Sequence, residues 1–178
     1  GNALVKLFKI YLKIFDWRSI KDINKKLSEF GTKYFKGGEP MTFLYHEDDP
    51  HKQKLRAELF FNNYFKRKAL DIQLKKNKKI KIGYLSNNFV FHPVSFLISK
   101  VIEIHNRSEF EIHGYSINPI EDEVTKKIAK SFDSFKNISN ESDDLANKKI
   151  REDNLDIVID LMGYTTGSRM GILSKRAA

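Results

Sequence analysis

Hydrophobic and polar positions change rhythm twice along the chain. From Ala3 to Phe15 the apolar residues are interrupted by Lys6, Lys9 and Lys13, which share one helical stripe, so an amphipathic helix is expected. Ile23, Leu27, Phe30 and Tyr34 lie near one face of a second predicted helix, from Ile20 to Phe35, with Asp16 or Ser19 as its cap. Gly37-Gly38-Glu39-Pro40 ends it, and a loop through Phe43-Leu44-Tyr45-His46 follows. Asp49 caps a third helix with Pro50 at its first position, where a missing N–H costs nothing. That helix runs through Leu55, Leu59, Phe60 and Tyr64.

The rhythm then shortens. Lys79-Ile80-Lys81-Ile82-Gly83-Tyr84-Leu85 reads as a strand. Pro93 opens a helix with Val94, Leu97, Ile98, Val101 and Ile104 at helical spacing, and residues 110–117 form a second strand. Val124, Ile128, Phe132 and Phe135 mark another helical face, and Leu145 to Ile150 a short helix. Leu155-Asp156-Ile157-Val158-Ile159-Asp160-Leu161 is the third and most apolar strand, and Ser168 opens a last helix. Strands alternating with helices predict an α/β fold with a parallel sheet and right-handed crossovers. Three strands make half of a doubly wound sheet, so the expected architecture is a helical extension followed by a partial Rossmann-like sheet. The boundaries are 1–65 for the helices, 66–81 for a basic connector and 79–178 for the sheet region.

Charge changes this picture little. The net charge is +9, but residues 1–65 carry +4, residues 66–81 carry +7, and residues 82–178 carry −2. The basic excess sits in one short connector. A nucleic-acid surface instead spreads Lys and Arg over a folded face with aromatics between them, so no nucleic-acid partner is expected. The absence of cysteine excludes a disulfide framework, a thiol nucleophile and a Cys-based zinc site, and is compatible with the cytoplasm. No apolar run reaches the roughly 20 residues of a transmembrane helix.

Ligands of open parallel sheets bind beyond the carboxyl ends of the strands. Two loops fall there, Ser86 to Ser95 and Asp160 to Arg169, and both are rich in groups that bind sugars and phosphates. Asn88, Pro93 and Ser95 belong to the first; Asp160, Gly163, Thr165 and Arg169 belong to the second. No glycine triplet follows the first strand, so neither a dinucleotide fingerprint nor a P-loop is present, and no His pair at helical spacing offers a metal site. His92 stands next to a helix N-terminus, whose dipole disfavours an imidazolium. A neutral imidazole there can accept a proton, bind a sugar hydroxyl, or simply cap the helix. Asp160 is near the carboxyl end of its strand, whereas Asp153 and Asp156 are near the start. Gly163 and Gly167 suit either a close backbone approach to a ligand or ordinary turns.

Lys81-Ile82-Gly83-Tyr84-Leu85-Ser86-Asn87-Asn88-Phe89, followed by His92-Pro93-Val94-Ser95-Phe96-Leu97, resembles the opening of the catalytic region of O-linked N-acetylglucosamine transferases and of SPINDLY-type protein O-fucosyltransferases. Residues 155–165, with Gly167, Arg169 and Lys175-Arg176-Ala177, are similar to the same family, as is the spacing between the two blocks. Phe15-Asp16-Trp17 and the Asp49-Pro50 helix resemble the helical region between its tetratricopeptide repeats and its catalytic core.

The resemblance implies one half of a two-Rossmann, metal-independent, inverting protein O-glycosyltransferase. The donor is a nucleotide sugar, UDP-N-acetylglucosamine above all, the acceptor is Ser or Thr of a protein, and no cofactor is required. It implies roles at the cleft for His92 and Tyr164, with Thr165 beside them. It also implies that the nucleotide-binding half lies beyond this chain, which alone is expected to be inactive. The family's animal members have histidines where Phe96 and Asp156 stand, and many bacterial members have one in place of Tyr164. An O-fucosyl- or asparagine-directed N-glucosyltransferase of the same fold, and a non-catalytic protein-interaction module, are the alternatives.

Overall fold

The computed structural model describes residues 2–33, 39–65 and 76–178, which fall into two compact units, 1–66 and 67–178. Most of the basic connector, and Tyr34, Phe35, Gly37 and Gly38, lie outside the described residues.

The first unit holds α1 (Asn2–Lys13), α2 (Trp17–Ser28), α3 (Pro40–Phe43) and α4 (Pro50–Tyr64). Asp16 caps α2 by accepting from the Ser19 N–H at 3.1 Å, and Asp49 caps α4 by accepting from the Lys52 N–H at 3.1 Å. Each satisfies one of the backbone donors that a helix start leaves unpaired. Val5, Phe8, Leu27 and Phe43 form the core. Arg56 is buried beside it, with its guanidinium 4.4 Å from the centre of the Phe43 ring. It donates to the Phe30 carbonyl at 2.9 Å, to the Ser28 carbonyl at 3.2 Å, and to the Glu47 carboxylate. A buried guanidinium needs such partners, because a charge left unpaired there costs several kcal/mol.

The second unit is an α/β sheet of four parallel strands. Its elements are β1 (Ile80–Ser86), α5 (Pro93–Ile104), β2 (Phe110–Ser116), α6 (Glu123–Ala129), β3 (Ser134–Asn137), α7 (Asp143–Glu152), β4 (Ile157–Asp160) and α8 (Gly171–Ser174). The strand order is β3-β2-β1-β4. The chain thus steps outward from β1 to β3 and then crosses back to place β4 on the other side of β1. With right-handed crossovers, that reversal puts α5 and α6 on one face of the sheet and α7 on the other.

Two cores follow from the reversal. Ile82, Tyr84, Ile112 and Ile128 pack on one face; Leu85, Tyr115, Ala146, Ile150 and Leu155 pack on the other. The last five residues of both β1 and β2 are buried, as expected for central strands covered on both faces.

The second helix stops at Ser28 rather than near Phe35, and the structure departs from the expected elements in further places. Among the described residues the sheet has four strands rather than three. β3 occupies residues read as the end of a helical face, because α6 stops at Ala129 and Phe135 faces the core beside Phe132 and Phe89. Part of the expected loop at Phe43 is the short helix α3. The final helix does not open at Ser168; α8 begins at Gly171 and has four residues.

Candidate functional site

The reversal of strand order places a switch point between β1 and β4, where connections leave the sheet in opposite directions and open a crevice. Leu85 pairs with Asp160 at that edge, and the Leu161 N–H still donates to the Leu85 carbonyl at 3.0 Å. The segments that follow are the two loops expected from the sequence, and they meet. The Asn88 side-chain amide donates to the Met162 sulfur at 3.4 Å. Gly167, at φ +84°, lies against the side chain of Asn87.

In the first loop His92 is the N-cap of α5, and its Nδ1 accepts from the Val94 N–H at 3.2 Å. An accepting Nδ1 places the ring hydrogen on Nε2. His92 therefore caps the helix and presents an N–H donor, which suits a sugar or phosphate oxygen better than removal of a proton. Pro93 is exposed at the first helical position. Ser95 is fully buried, and its hydroxyl donates to the Asn88 carbonyl. Its side chain shapes the loop from inside. Asn88 is held by that contact and by its own N–H, which donates to Ser86 Oγ at 3.0 Å.

In the second loop Asp160 directs both oxygens to backbone, accepting from the Met162 N–H at 3.0 Å and the Gly163 N–H at 2.8 Å. This pins a tight turn in which Gly163 takes φ +54°, a left-handed conformation that favours glycine. The Thr165 hydroxyl donates back to the Met162 carbonyl at 2.7 Å. Tyr164 is half-buried, and burial pushes its phenol up, so it stays a neutral hydroxyl at ordinary pH. The Arg169 guanidinium donates to Asp143 Oδ1 at 2.7 and 2.9 Å, to the Ile138 carbonyl at 3.0 Å and to the Glu141 carbonyl at 2.6 Å. Arg169, expected as a ligand contact, ties the second loop to the start of α7.

Asp153 and Asp156 lie at the opposite end of β4. Asp153 accepts from Lys136 and Tyr115, each at 2.6 Å, and Asp156 accepts from the Lys81 N–H at 2.8 Å. Among the described residues, no group of three or more His, Cys, Asp or Glu could hold a metal ion.

Beside the crevice lies a feature that no sequence motif marks. A row of amides crosses the carboxyl ends of β1, β2 and β3. Asn118 donates to the Asn87 carbonyl at 2.8 Å, and Asn137 donates to the Asn118 carbonyl at 3.1 Å and to Glu121 at 2.8 Å. Asn118 and Asn137 lie far apart in sequence, and parallel pairing alone brings them together.

Four parallel strands with polar loops facing across the switch point define a Rossmann-like α/β unit. The description of glycosyl transferase family 41 matches residues 58–178, and the chain belongs to that family. It is 34% identical over 102 residues to a probable UDP-N-acetylglucosamine–peptide N-acetylglucosaminyltransferase, SEC, of Arabidopsis thaliana, covering 57% of this chain and 10% of that protein. The UDP-N-acetylglucosamine–peptide N-acetylglucosaminyltransferase of Caenorhabditis elegans is 30% identical over 108 residues, which is 59% of this chain and 9% of that protein. The chain thus spans about a tenth of the length of these relatives. A mutant of Thermobaculum terrenum O-GlcNAc transferase superposes with a TM-score of 0.69 at 23% identity, covering 78% of this chain and 28% of that one, and shows the shared fold.

Proposed function

We propose that this chain forms one wall of the sugar-transfer cleft of a protein O-glycosyltransferase that moves N-acetylglucosamine from UDP-N-acetylglucosamine to Ser or Thr of an acceptor protein. The observation that carries this reading is that the family match over residues 58–178 contains both loops of the switch point. In the reaction the acceptor oxygen bonds to the anomeric carbon, the bond from that carbon to the diphosphate oxygen breaks, and the hydroxyl proton passes to the departing diphosphate or to water, leaving the glycosylated protein and UDP. The anomeric centre inverts, without a metal.

In this reading His92 donates from Nε2 to an oxygen of the donor, and Tyr164 adds a neutral hydroxyl from the other loop. Asp160, Gly163 and Thr165 fix the turn that carries Tyr164, and Asn88 and Ser95 fix the loop that carries His92. Catalysis by positioning needs both walls of a cleft, so the activity belongs to the protein at its full natural length. The proposal extends to tetratricopeptide-type repeats preceding the helical unit and to a cytoplasmic location, which a cysteine-free sequence suits.

The test is incorporation of labelled sugar into a Ser/Thr peptide panel by the full-length protein, with UDP-N-acetylglucosamine, UDP-glucose and GDP-fucose as separate donors. Incorporation from UDP-N-acetylglucosamine at Ser or Thr is expected. Incorporation from another donor alone, or from none, overturns the proposal.

A further inference from the structure

The loop between β1 and α5 has no regular structure, so its backbone groups must find partners elsewhere. Two come from the start of α6. The Thr125 hydroxyl, itself buried, donates to the Phe89 carbonyl at 2.6 Å. The Phe91 N–H donates to Asp122 Oδ2 at 2.6 Å. The same side chains form the capping box of α6: Asp122 Oδ1 accepts from the Thr125 N–H at 2.9 Å, and Thr125 Oγ1 accepts from the Asp122 N–H at 3.1 Å.

Each side chain thus faces two ways. One Asp122 oxygen holds its own helix and the other holds the loop; the Thr125 hydroxyl accepts within the box, and of the two acceptors in reach of its hydrogen the Phe89 carbonyl, at 2.6 Å, is nearer than Asp122 Oδ1, at 3.1 Å. Between them they fix residues 89 and 91, immediately before His92. The Phe89 ring, buried against Phe132 at 5.5 Å, anchors the same stretch from the core. The Asp122 carboxyl is held below its ordinary value by the Thr125 N–H and then the Phe91 N–H, so it is ionised when it makes these contacts.

We propose that Asp122 and Thr125 are positioning residues for His92: by clamping residues 89–91 they hold the imidazole with Nδ1 on the Val94 N–H and Nε2–H free for the substrate. The clamp rests on the reading of His92 as a cleft residue, but it is a property of the chain that can be read without turnover. The capping pair accounts for the three contacts between Asp122 and Thr125 and not for the two to the loop. The bonds to Phe89 and Phe91 lie outside the cap of α6, and they join its start to the segment that carries the ring.

Asp122→Asn separates the two functions. Its single carbonyl oxygen can serve the Thr125 N–H or the Phe91 N–H, and its NH2 group faces a donor at the other. Thr125→Val removes the hydroxyl in nearly the same volume, and Thr125→Ser restores it. The experiment is nuclear magnetic resonance of the 178-residue chain, reading the ring-nitrogen shifts of His92 and the amide exchange of Phe91, with α6 amides as the folding control. In the wild type, Nδ1 should show an acceptor shift, Nε2 a protonated shift, and the Phe91 amide should be protected. In Asp122→Asn, Phe91 should exchange about tenfold faster, the scale of one lost hydrogen bond, and the ring shifts should move toward tautomer averaging. Thr125→Val should likewise shift the ring nitrogens, and Thr125→Ser should return them to wild-type values.

Ring shifts and Phe91 exchange unchanged in Asp122→Asn, or ring shifts unchanged in Thr125→Val, overturn the clamp. If Asp122→Asn or Thr125→Val unfolds α6, the wild-type shifts and the Thr125→Ser spectrum still decide: a wild-type His92 with averaged nitrogens, or a Thr125→Ser ring unlike the wild type, refutes it. Failure of sugar transfer by the full-length protein would sink the proposed function and leave these readings standing.

Discussion

Gly167 and Asn87 touch across the two loops so closely that a Cβ on Gly167 would stand 2.7 Å from Asn87 Nδ2, with Gly167 held at φ +84°. Side chain and strain both oppose any other residue there. Gly167→Ala should destabilise the chain by about 1–3 kcal/mol, as expected for a non-glycine residue in a sparsely populated region. Adding Asn87→Ala should recover only the steric part. A double-mutant cycle in denaturant reads this as a favourable coupling of about 0.5 kcal/mol or more. Additive losses would mean that the loops do not press on each other.

Arg169 offers a cleaner separation of structure from recognition. Its planar fork reaches Asp143 and the carbonyls of Ile138 and Glu141, a geometry that an ammonium cannot reproduce. Arg169→Lys is therefore expected to lower unfolding stability by about 1–3 kcal/mol. A Lys variant with wild-type stability and a raised KM would make Arg169 a ligand contact instead.

The far end of the sheet predicts a pH dependence. Burial pushes the Asp153 carboxyl up, but the Lys136 ammonium and the Tyr115 hydroxyl together outweigh it and hold it below its ordinary value of 3.8. A carboxyl with a lowered folded pKa contributes stability that is fully present above the unfolded value and is lost as pH falls through the folded one. Asp153→Asn should thus be less stable than wild type at pH 7, by about 1–3 kcal/mol, with the gap closing below about pH 4. Thermal unfolding from pH 7 to 3 checks this, and a gap that stays constant into acid would contradict it.

In the helical unit, Glu47 balances the buried Arg56 and also accepts from Lys52 at 2.8 Å. Glu47→Ala leaves a buried guanidinium without its counter-charge and should cost about 3 kcal/mol, seen as faster amide exchange throughout α2 and α4. Unchanged exchange would show that the Phe30 and Ser28 carbonyls suffice.

The sheet was largely legible because β1, β2 and β4 carry the short apolar rhythm of buried strands, and Pro93 and Asp49 mark helix starts by chemistry that works locally. β3 was not legible, because four residues set no period and Phe132 and Phe135 mimic a helical face. The position of both loops followed from a general rule about parallel sheets, but their contact depends on the strand order β3-β2-β1-β4, which no local pattern encodes. The same limit hid the Asn87–Asn118–Asn137 row and the inward turn of Ser95 and Arg169. Residue type marks a group as capable of binding a ligand, and only packing shows whether the protein has already claimed it.

The proposed function requires His92 and Tyr164 to face substrate across the switch point. The measurement that tests it most directly is the kcat/KM for sugar transfer by the full-length protein, comparing His92→Ala and Tyr164→Phe with wild type, with folding verified by circular dichroism. A loss of about a hundredfold or more in folded His92→Ala is predicted, the scale of a positioned donor at a reacting centre, with a smaller loss in Tyr164→Phe. A folded His92→Ala that transfers sugar as fast as wild type would leave His92 as a helix cap and contradict the account.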